Sequence, residues 1–472
     1  MSIASTARKG RVHFSGIGGT AMVAGARIAL EAGWDVRGSD MPLYPPTSDM
    51  VAALGVPVYV GYKAENLDWN PDVVVIGNAL SRGNPEVEAT LDRGLPYMSL
   101  PEWLKAHVLR RRRPVVVCGT HGKTTTTAIA AYLLDRCGLA PGFLIGGQPL
   151  DFPFSARLGP EGAPFVIEGD EYDTAFFDKR AKFFHYLPNI AVVTSIEFDH
   201  GDIYRDLEEI ETAFQRMLRQ IPHSGRLIVC ADNRAASLLN HAFCPVETYG
   251  FSESAHWRGE ILSPSKNMQR LRIYREGTLW GEFETTLAGR HNLQNAVAAI
   301  AAATVIGAEK ADMQEALRTF SGVRRRMEIF HDAGGMVFID DFAHHPTAVR
   351  ETIAAARMRW PDGRIRVLFE PRSNTTVTRR FQGDLTDALT GADEVWLGPI
   401  YRVDRIPEGE RLDRAAMADA LRRHGVAAQY ADDIAAMAQE VLATGKPGDV
   451  VLVLSNGAFG GIHAIIRESA PP

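Results

Sequence analysis

The sequence predicts an α/β protein of three domains, each built on a mostly parallel sheet. The 472 residues allow about three domains at roughly 150 residues apiece. Three segments open in the same way, with a β-branched strand that runs into a glycine-rich or polar turn and then a helix. Strand and helix go on alternating within each segment, the order from which doubly wound parallel sheets are made.

The first segment, 1–109, begins RVHFSGIGGTAMVAGARIALEAGWDVRGSD (11–40). This reads as strand, glycine turn, amphipathic helix and a second strand, and PDVVVIGNAL (71–80) supplies a third. Four consecutive arginines and Pro114 mark its end; the run reads as a solvated linker face or as a phosphate contact. The second segment, 110–328, opens with VVVCGTHGKTTTTAIAAYLLDRCG (115–138). Its further strands are APFVIEGDEYD (163–173) and NIAVVTSIEFDH (189–200), and the helix HNLQNAVAAIAAATVIG follows late in it. The third, 329–472, places MVFIDDFAHHP (336–346), RIRVLFEPRSNT (364–375), EVWLGPI (394–400) and DVVLVLSNGAFGG (449–461) as strands leading into polar loops. In open α/β sheets ligands bind beyond the carboxyl ends of the strands, and the unusual residues stand there.

Composition narrows the function. With 51 Lys+Arg against 57 Asp+Glu the net charge is −6, which disfavours a dedicated nucleic-acid binder. The four cysteines show no CxxC pairing, so neither a disulfide scaffold nor a structural zinc site is indicated. The N-terminal residues lack the apolar stretch of a signal peptide, and no run approaches the ~20 apolar residues of a membrane span. The expected address is the cytoplasm.

Gly119-Thr120-His121-Gly122-Lys123-Thr124-Thr125 lies between a strand and a helix. Its glycines let backbone N–H groups turn towards phosphate oxygens, while Lys123 and the helix N-terminus add positive charge. Thr124 brings a hydroxyl suited to Mg²⁺. The spacing departs from GxxxxGK[ST], since Val117 stands where the first glycine belongs. ATP is the expected ligand. A metal is expected with it, and the next strand ends offer Glu171, a hard carboxylate, and His200, which taken alone reads more often as a capping or core histidine.

Six motifs then fall in one order: GTHGKTTT, EGDEYD, SIEFDH, GRHNLQNAVAA (289–299), RRRME (324–328) and DDFAHHPT (340–347). In that order they resemble the Mur ligases, the ATP-dependent amide ligases of peptidoglycan synthesis, over essentially the whole chain. GIGGTAM and DDFAHHPT look like the branch that acts on UDP-N-acetylmuramate. FEPRSNTTVTRRFQ (369–382) and LSNGAFGGIH (454–463) resemble ligases that take the tripeptide L-alanyl-γ-D-glutamyl-meso-diaminopimelate in cell-wall recycling. The resemblance implies a Rossmann-like UDP-binding domain, a central P-loop ATPase domain and a Rossmann-like C-terminal domain that binds peptide. It implies that Lys123 contacts the β- and γ-phosphates, that Thr124 holds Mg²⁺, and that Glu171 and His200 are metal ligands. Asn292 and Asn295 look like adenine-side contacts, and Arg326 and Asp341 like a pair brought onto the nucleotide. Gln215 stands where many relatives carry a carbamylated lysine, and Phe342 where tyrosine is common.

The stretch Gly16-Ile17-Gly18-Gly19-Thr20-Ala21, with Asp40 lying 24 residues after Gly16, alone reads as a dinucleotide site. Backbone N–H groups at a helix N-terminus serve a UDP-sugar equally well, and the ATP site downstream favours UDP. Asn78, Ser81 and Asn84 are further polar contacts or a plain turn. Arg372 can grip a peptide carboxylate bidentately, with Ser373, Asn374 and His345 beside it. Arg379 and Arg380 are further partners or merely solvated. His344 or His345 takes the amine's proton, binds substrate or is structural.

The implied reaction activates the lactyl carboxylate of UDP-N-acetylmuramate as an acyl phosphate, which the tripeptide amine then captures. Closure of the C-terminal domain is expected to assemble the site and exclude water. Rival readings are free L-alanine as acceptor, a P-loop protein that uses ATP only as a switch, and a nicotinamide oxidoreductase.

Overall fold

The computed structural model describes residues 9–44, 47–198, 203–262, 268–373 and 376–469; the expected sites His200 and Asn374 lie outside them. The chain forms two compact units.

One unit comprises 1–196, 208–258 and 297–316. It opens with β1 (Arg11–Ser15), α1 (Thr20–Glu31), β2 (Asp35–Asp40), α2 (Thr47–Ala52), β3 (Val58–Val60), β4 (Val73–Ile76), α3 (Pro85–Asp92), β5 (Tyr97–Ser99) and α4 (Leu100–His107). The strands form a parallel sheet ordered β3-β2-β1-β4-β5. The order reverses beside β1, the switch point where such sheets open a crevice, and the glycine turn follows that strand. The strand expected over 71–80 stops at Ile76, because Gly77 and the following residues turn away.

The same unit continues with β6 (Arg113–Cys118), α5 (Lys123–Arg136), β7 (Gly142–Leu144), β8 (Ala156–Arg157), β9 (Pro164–Gly169), the hairpin β10 (Asp173–Ala175) and β11 (Asp178–Ala181), β12 (Ile190–Val193), nearly all of α6 (Leu207–Leu218), β13 (Arg226–Cys230), β14 (Val246–Gly250) and the start of β15 (Trp257–Ile261). Here β6 lies between β12 and β9, all parallel, while the short β7–β8 and β10–β11 pairs are antiparallel. Val115, Val116, Val117 and Cys118 are fully buried, as a central strand covered on both faces should be. Expected strands over 163–173 and 189–200 end earlier, at Gly169 and Val193, which frees Asp170, Glu171, Thr194 and Ser195 to act from loops. In the arginine run Arg110, Arg111 and Arg113 are exposed, as a solvated face should be, and Arg112 alone is drawn in. A 3₁₀ turn at Leu109–Arg111 leads straight into β6, and the Arg112 guanidinium donates to the carbonyls of Val108, Leu158 and Gly159 at 3.0, 2.9 and 2.7 Å.

The other unit comprises 197–207, 259–296 and 317–472. It contains the antiparallel hairpin β16 (Gln269–Arg275) and β17 (Thr278–Thr285) and the start of α7 (Arg290–Ile306); α8 (Lys310–Thr319) straddles its border. Next come β18 (Glu328–Ala333), β19 (Met336–Asp341), α9 (Pro346–Arg359), β20 (Ile365–Phe369), α10 (Gln382–Leu389), β21 (Glu394–Leu397), α11 (Arg414–Arg423), β22 (Ala427–Tyr430), α12 (Ile434–Ala443), β23 (Val450–Leu454) and α13 (Ile462–Ser469). Their sheet runs β18-β19-β23-β20-β21-β22, parallel except at β18. Ile365, Val367, Leu452 and Leu454 pack towards α9, α10 and α11 on one face, and Leu368, Val451 and Val453 towards α12 and α13 on the other. Among the described residues no helix is long and apolar enough to cross a membrane.

Candidate functional site

The phosphate loop is set by contacts from the neighbouring strand end. Gly119 has φ +127°, and a Cβ there would come within 2.7 Å of the backbone of Ser195, so only glycine fits. The Thr120 amide donates to Ser195 O and the His121 amide to Ser195 Oγ, both at 2.9 Å. Thr194 Oγ1 donates to His121 O at 2.5 Å. Gly122, at φ +82°, is the N-cap of α5, whose first-turn amides have no partner within the helix and face the strand ends that carry the loop.

Around that helix start the acidic groups gather. Lys123 Nζ donates to Glu171 Oε2 at 2.6 Å and lies 3.8 Å from Asp170 Oδ1. Lys182 Nζ holds the other Asp170 oxygen at 2.8 Å. Thr124 Oγ1 donates to Glu168 Oε1 at 3.0 Å, and the Gly146 amide to Glu168 Oε2 at 2.8 Å. Burial disfavours charge on Lys123, but the carboxylates of Glu171 and Asp170 outweigh it and raise its pKa. Burial raises the Glu168 carboxyl, and Asp170 adds to this while Lys123 opposes it. Three carboxylates thus meet two ammonium groups around a threonine hydroxyl. Hard oxygen donors with surplus negative charge are the chemistry Mg²⁺ takes, and an ammonium at a glycine loop is what a triphosphate takes; the residues fit both.

In the first sheet the amides of Gly16 and Ile17 donate to Ser39 O at 2.9 and 3.0 Å. The Gly18 amide donates to Asp40 Oδ2 at 2.6 Å, and Asp40 Oδ1 accepts from the Met41 amide and the Tyr62 hydroxyl. Asp40 therefore braces the turn. Gly19 is the N-cap of α1. Asn78 Nδ2 donates to Asp173 Oδ1 at 3.0 Å, Ser81 is exposed, and Asn84 caps α3 by accepting from the amides of Glu86 and Val87. Beneath the turn lies a group that sequence reasoning missed. Glu86, fully buried, accepts from the hydroxyls of Ser15 and Ser39 and the amide of Asn66 at 2.6, 2.5 and 2.5 Å, with His13 Nε2 at 3.4 Å.

In the other unit Asn292 Nδ2 donates to Ala288 O at 2.8 Å, and Asn295 Nδ2 faces Asn292 Oδ1 at 3.4 Å, both buried at the start of α7. Asp341, at the end of β19, accepts from the amides of Met327 and Ala343 at 2.7 and 2.8 Å. Burial raises its pKa, with Arg326 the chief opposing charge. Arg326 sits between Arg325 and Met327, both at positive φ (59° and 53°). Arg325 ties the turn down by donating to Ser455 O and Gly457 O at 2.6 and 2.8 Å. Both guanidiniums lie over the Phe342 ring, at 5.3 and 5.2 Å, so that side chain keeps an aromatic role without a hydroxyl.

The adjacent histidines differ. His345 is the N-cap of α9, its Nδ1 accepting from the Thr347 amide at 3.3 Å. His344 Nδ1 faces Phe342 O at 3.0 Å, a carbonyl that can only accept, so that nitrogen carries a proton. Arg372 stacks on Tyr401 and pairs with Glu370, Ser373 bonds Thr376, Arg379 donates to Arg411 O, and Arg380 lies 4.2 Å over the Phe198 ring.

A phosphate loop above carboxylates, in a chain of doubly wound sheets, defines a nucleotide-binding enzyme fold. Residues 11–112 match the model described as Mur ligase family, catalytic domain; 117–303 match the Mur ligase middle domain; and 325–457 match the Mur ligase, glutamate ligase domain. The chain belongs to the Mur ligase family. It is a ligase of the class that forms amide bonds, and the family uses ATP and Mg²⁺. It is 42% identical over 454 residues, 96% of each chain, to the UDP-N-acetylmuramate–L-alanyl-γ-D-glutamyl-meso-2,6-diaminoheptandioate ligase of Escherichia coli. A UDP-N-acetylmuramate–L-alanine ligase of Bordetella petrii is 35% identical, over 97% of this chain and 98% of its own. The crystal structure of a murein peptide ligase from Psychrobacter arcticus superposes with a TM-score of 0.72 at 34% identity, covering 97% of this chain and 98% of that one.

Proposed function

We propose that this protein joins the lactyl carboxylate of UDP-N-acetylmuramate to the L-Ala amine of L-alanyl-γ-D-glutamyl-meso-diaminopimelate, at the cost of ATP, in the cytoplasm. The observation that carries this reading is the 42% identity, over 96% of both chains, to a ligase named for that tripeptide, against 35% for the L-alanine ligase. We assign 1–109 to the sugar nucleotide, 110–328 to ATP and 329–472 to the peptide.

A carboxylate is a poor electrophile, and joining it to an amine in water is uphill. Its oxygen takes the γ-phosphoryl group of ATP, giving an acyl phosphate and ADP; the neutral amine then attacks the carbonyl, and phosphate leaves from the tetrahedral intermediate. Both partners in the first step are anions, so Lys123 and the N-terminus of α5 screen their repulsion. Thr124, Glu171 and His200 would hold Mg²⁺, which when bound neutralises phosphate charge. Asn292, Asn295, Arg326 and Asp341 are assigned to the nucleotide, and Gly16 to Gly19, Asp40, Asn78 and Ser81 to the UDP-sugar. His344 is assigned to take the amine's proton, since the Nδ1 of His345 is used in capping α9.

Mass spectrometry of the product made from ATP, UDP-N-acetylmuramate and either acceptor tests the substrate: a mass increase of tripeptide less water supports the reading, and faster turnover of free L-alanine refutes it. Carboxylate labelled with ¹⁸O must pass one labelled oxygen to released phosphate; unlabelled phosphate would exclude the acyl phosphate.

A further inference from the structure

Arg372 is held more tightly than a solvated cation. Its guanidinium carbon lies 3.7 Å from the centre of the Tyr401 ring. Its Nη1 donates to Glu370 Oε1 at 3.4 Å, and buried Glu370 accepts in turn from the Ser455 hydroxyl. The Gly457 amide donates to the same hydroxyl at 2.8 Å. A Cβ on Gly457 would overlap Nε and the neighbouring carbons of Arg372, so that loop is glycine where the guanidinium passes. Tyr401 is fixed as well, its amide donating to Pro371 O at 3.0 Å. The three loops follow the adjacent parallel strands β21, β20 and β23.

Stacking uses the face of a guanidinium and leaves its N–H edge for a planar partner. A carboxylate is the planar anion that such an edge grips bidentately. A long side chain free in solvent loses rotamer freedom when it binds, whereas one already stacked has lost it beforehand.

We propose that Tyr401 is a positioning residue for acceptor recognition: its ring, with Gly457 leaving room alongside, holds the edge of Arg372 ready for a carboxylate of the peptide. This rests on the assignment of Arg372 to the peptide. The test is steady-state kinetics of the full-length enzyme, varying tripeptide, ATP and UDP-N-acetylmuramate in turn. Tyr401→Leu should raise the tripeptide KM by about 3- to 30-fold, the span of a stacked cation, with both nucleotide KM values and kcat unchanged. Tyr401→Phe keeps the ring and should behave as wild type; Gly457→Ala displaces the guanidinium and should follow Tyr401→Leu. In an Arg372→Ala background Tyr401→Leu should add nothing. A normal tripeptide KM in Tyr401→Leu, beside a raised one in Arg372→Ala, overturns the proposal and spares the Arg372 assignment. A normal tripeptide KM in Arg372→Ala overturns both. Independent additive losses, or a rise in all three KM values together, show a merely structural tyrosine and overturn the proposal. Should Tyr401→Leu not fold, a raised tripeptide KM in Tyr401→Phe or a wild-type one in Gly457→Ala overturns it.

Discussion

Burial works to lower the pKa of Lys123, but the carboxylates of Glu171 and Asp170 prevail and raise it, favouring the charged form. Its role is therefore electrostatic rather than proton transfer. Lys123→Ala should lower kcat by about 100- to 1,000-fold, while far-UV circular dichroism remains that of the wild type; a loss below tenfold would contradict the assignment. Glu86 shows how a residue hides from sequence reasoning. A glutamate in the first turn of a helix suits the helix dipole and looks ordinary, yet this one is buried and binds two strand-end serines. Burial works to raise its pKa, but hydrogen bonds from His13, Ser15 and Ser39 prevail and lower it. Glu86→Ala strands those donors beneath the glycine turn, at about 1–3 kcal/mol for each unsatisfied buried group. Its thermal midpoint should drop by several degrees, with a weakened KM for UDP-N-acetylmuramate.

At the scale of elements, strand, loop and helix around Lys123 were legible because their order is local: a β-branched run, glycines and a helix start lie within one stretch of chain. The extent of the strands was not. Those expected over 163–173 and 189–200 end at Gly169 and Val193 because the next residues serve other partners, Glu171 meeting Lys123 and Thr194 meeting His121. The hairpin β10–β11 offers a pH test. Asp178 accepts from Arg180 Nε and Nη2 at 2.9 and 2.7 Å and faces His185 Nε2 at 2.9 Å. Hydrogen bonds from Arg180 hold its carboxyl down at about 2, below the ordinary value of about 3.9. A lowered carboxyl stabilises the fold above its unfolded pKa, and that contribution drains away as the pH falls from about 4 to about 2. Asp178→Asn should thus lower the thermal midpoint at neutral pH, by a loss on the order of 2 kcal/mol, and the gap to wild type should shrink across that acid window. A gap independent of pH would show that the charge is not the cause.

For the whole molecule, two compact units make a single unfolding free energy a poor descriptor, but ligand linkage still applies. ATP with Mg²⁺ at about 100 times its Kd should stabilise the part that binds it by about 2.7 kcal/mol. Calorimetry should show one transition moving upward, with the shift reduced by a chelator and largely lost in Lys123→Ala. An equal shift in Lys123→Ala would place the nucleotide elsewhere.

The amino-acid order alone determined the three mostly parallel sheets, the phosphate loop and the Mur ligase resemblance, since each is written in short-range periodicity and contiguous motifs. Tertiary structure alone decided which side chains meet. Thr124 finds Glu168, Lys123 finds Glu171, and Arg372 finds Tyr401 across separate strands whose pairing no local pattern encodes. It also turned Asn84 and His345 into helix caps and Arg112 into a clamp on three carbonyls. The physical reason is burial: once packing removes water, each polar group must take whatever partner the neighbouring strand supplies, and that partner is fixed by register rather than by sequence distance.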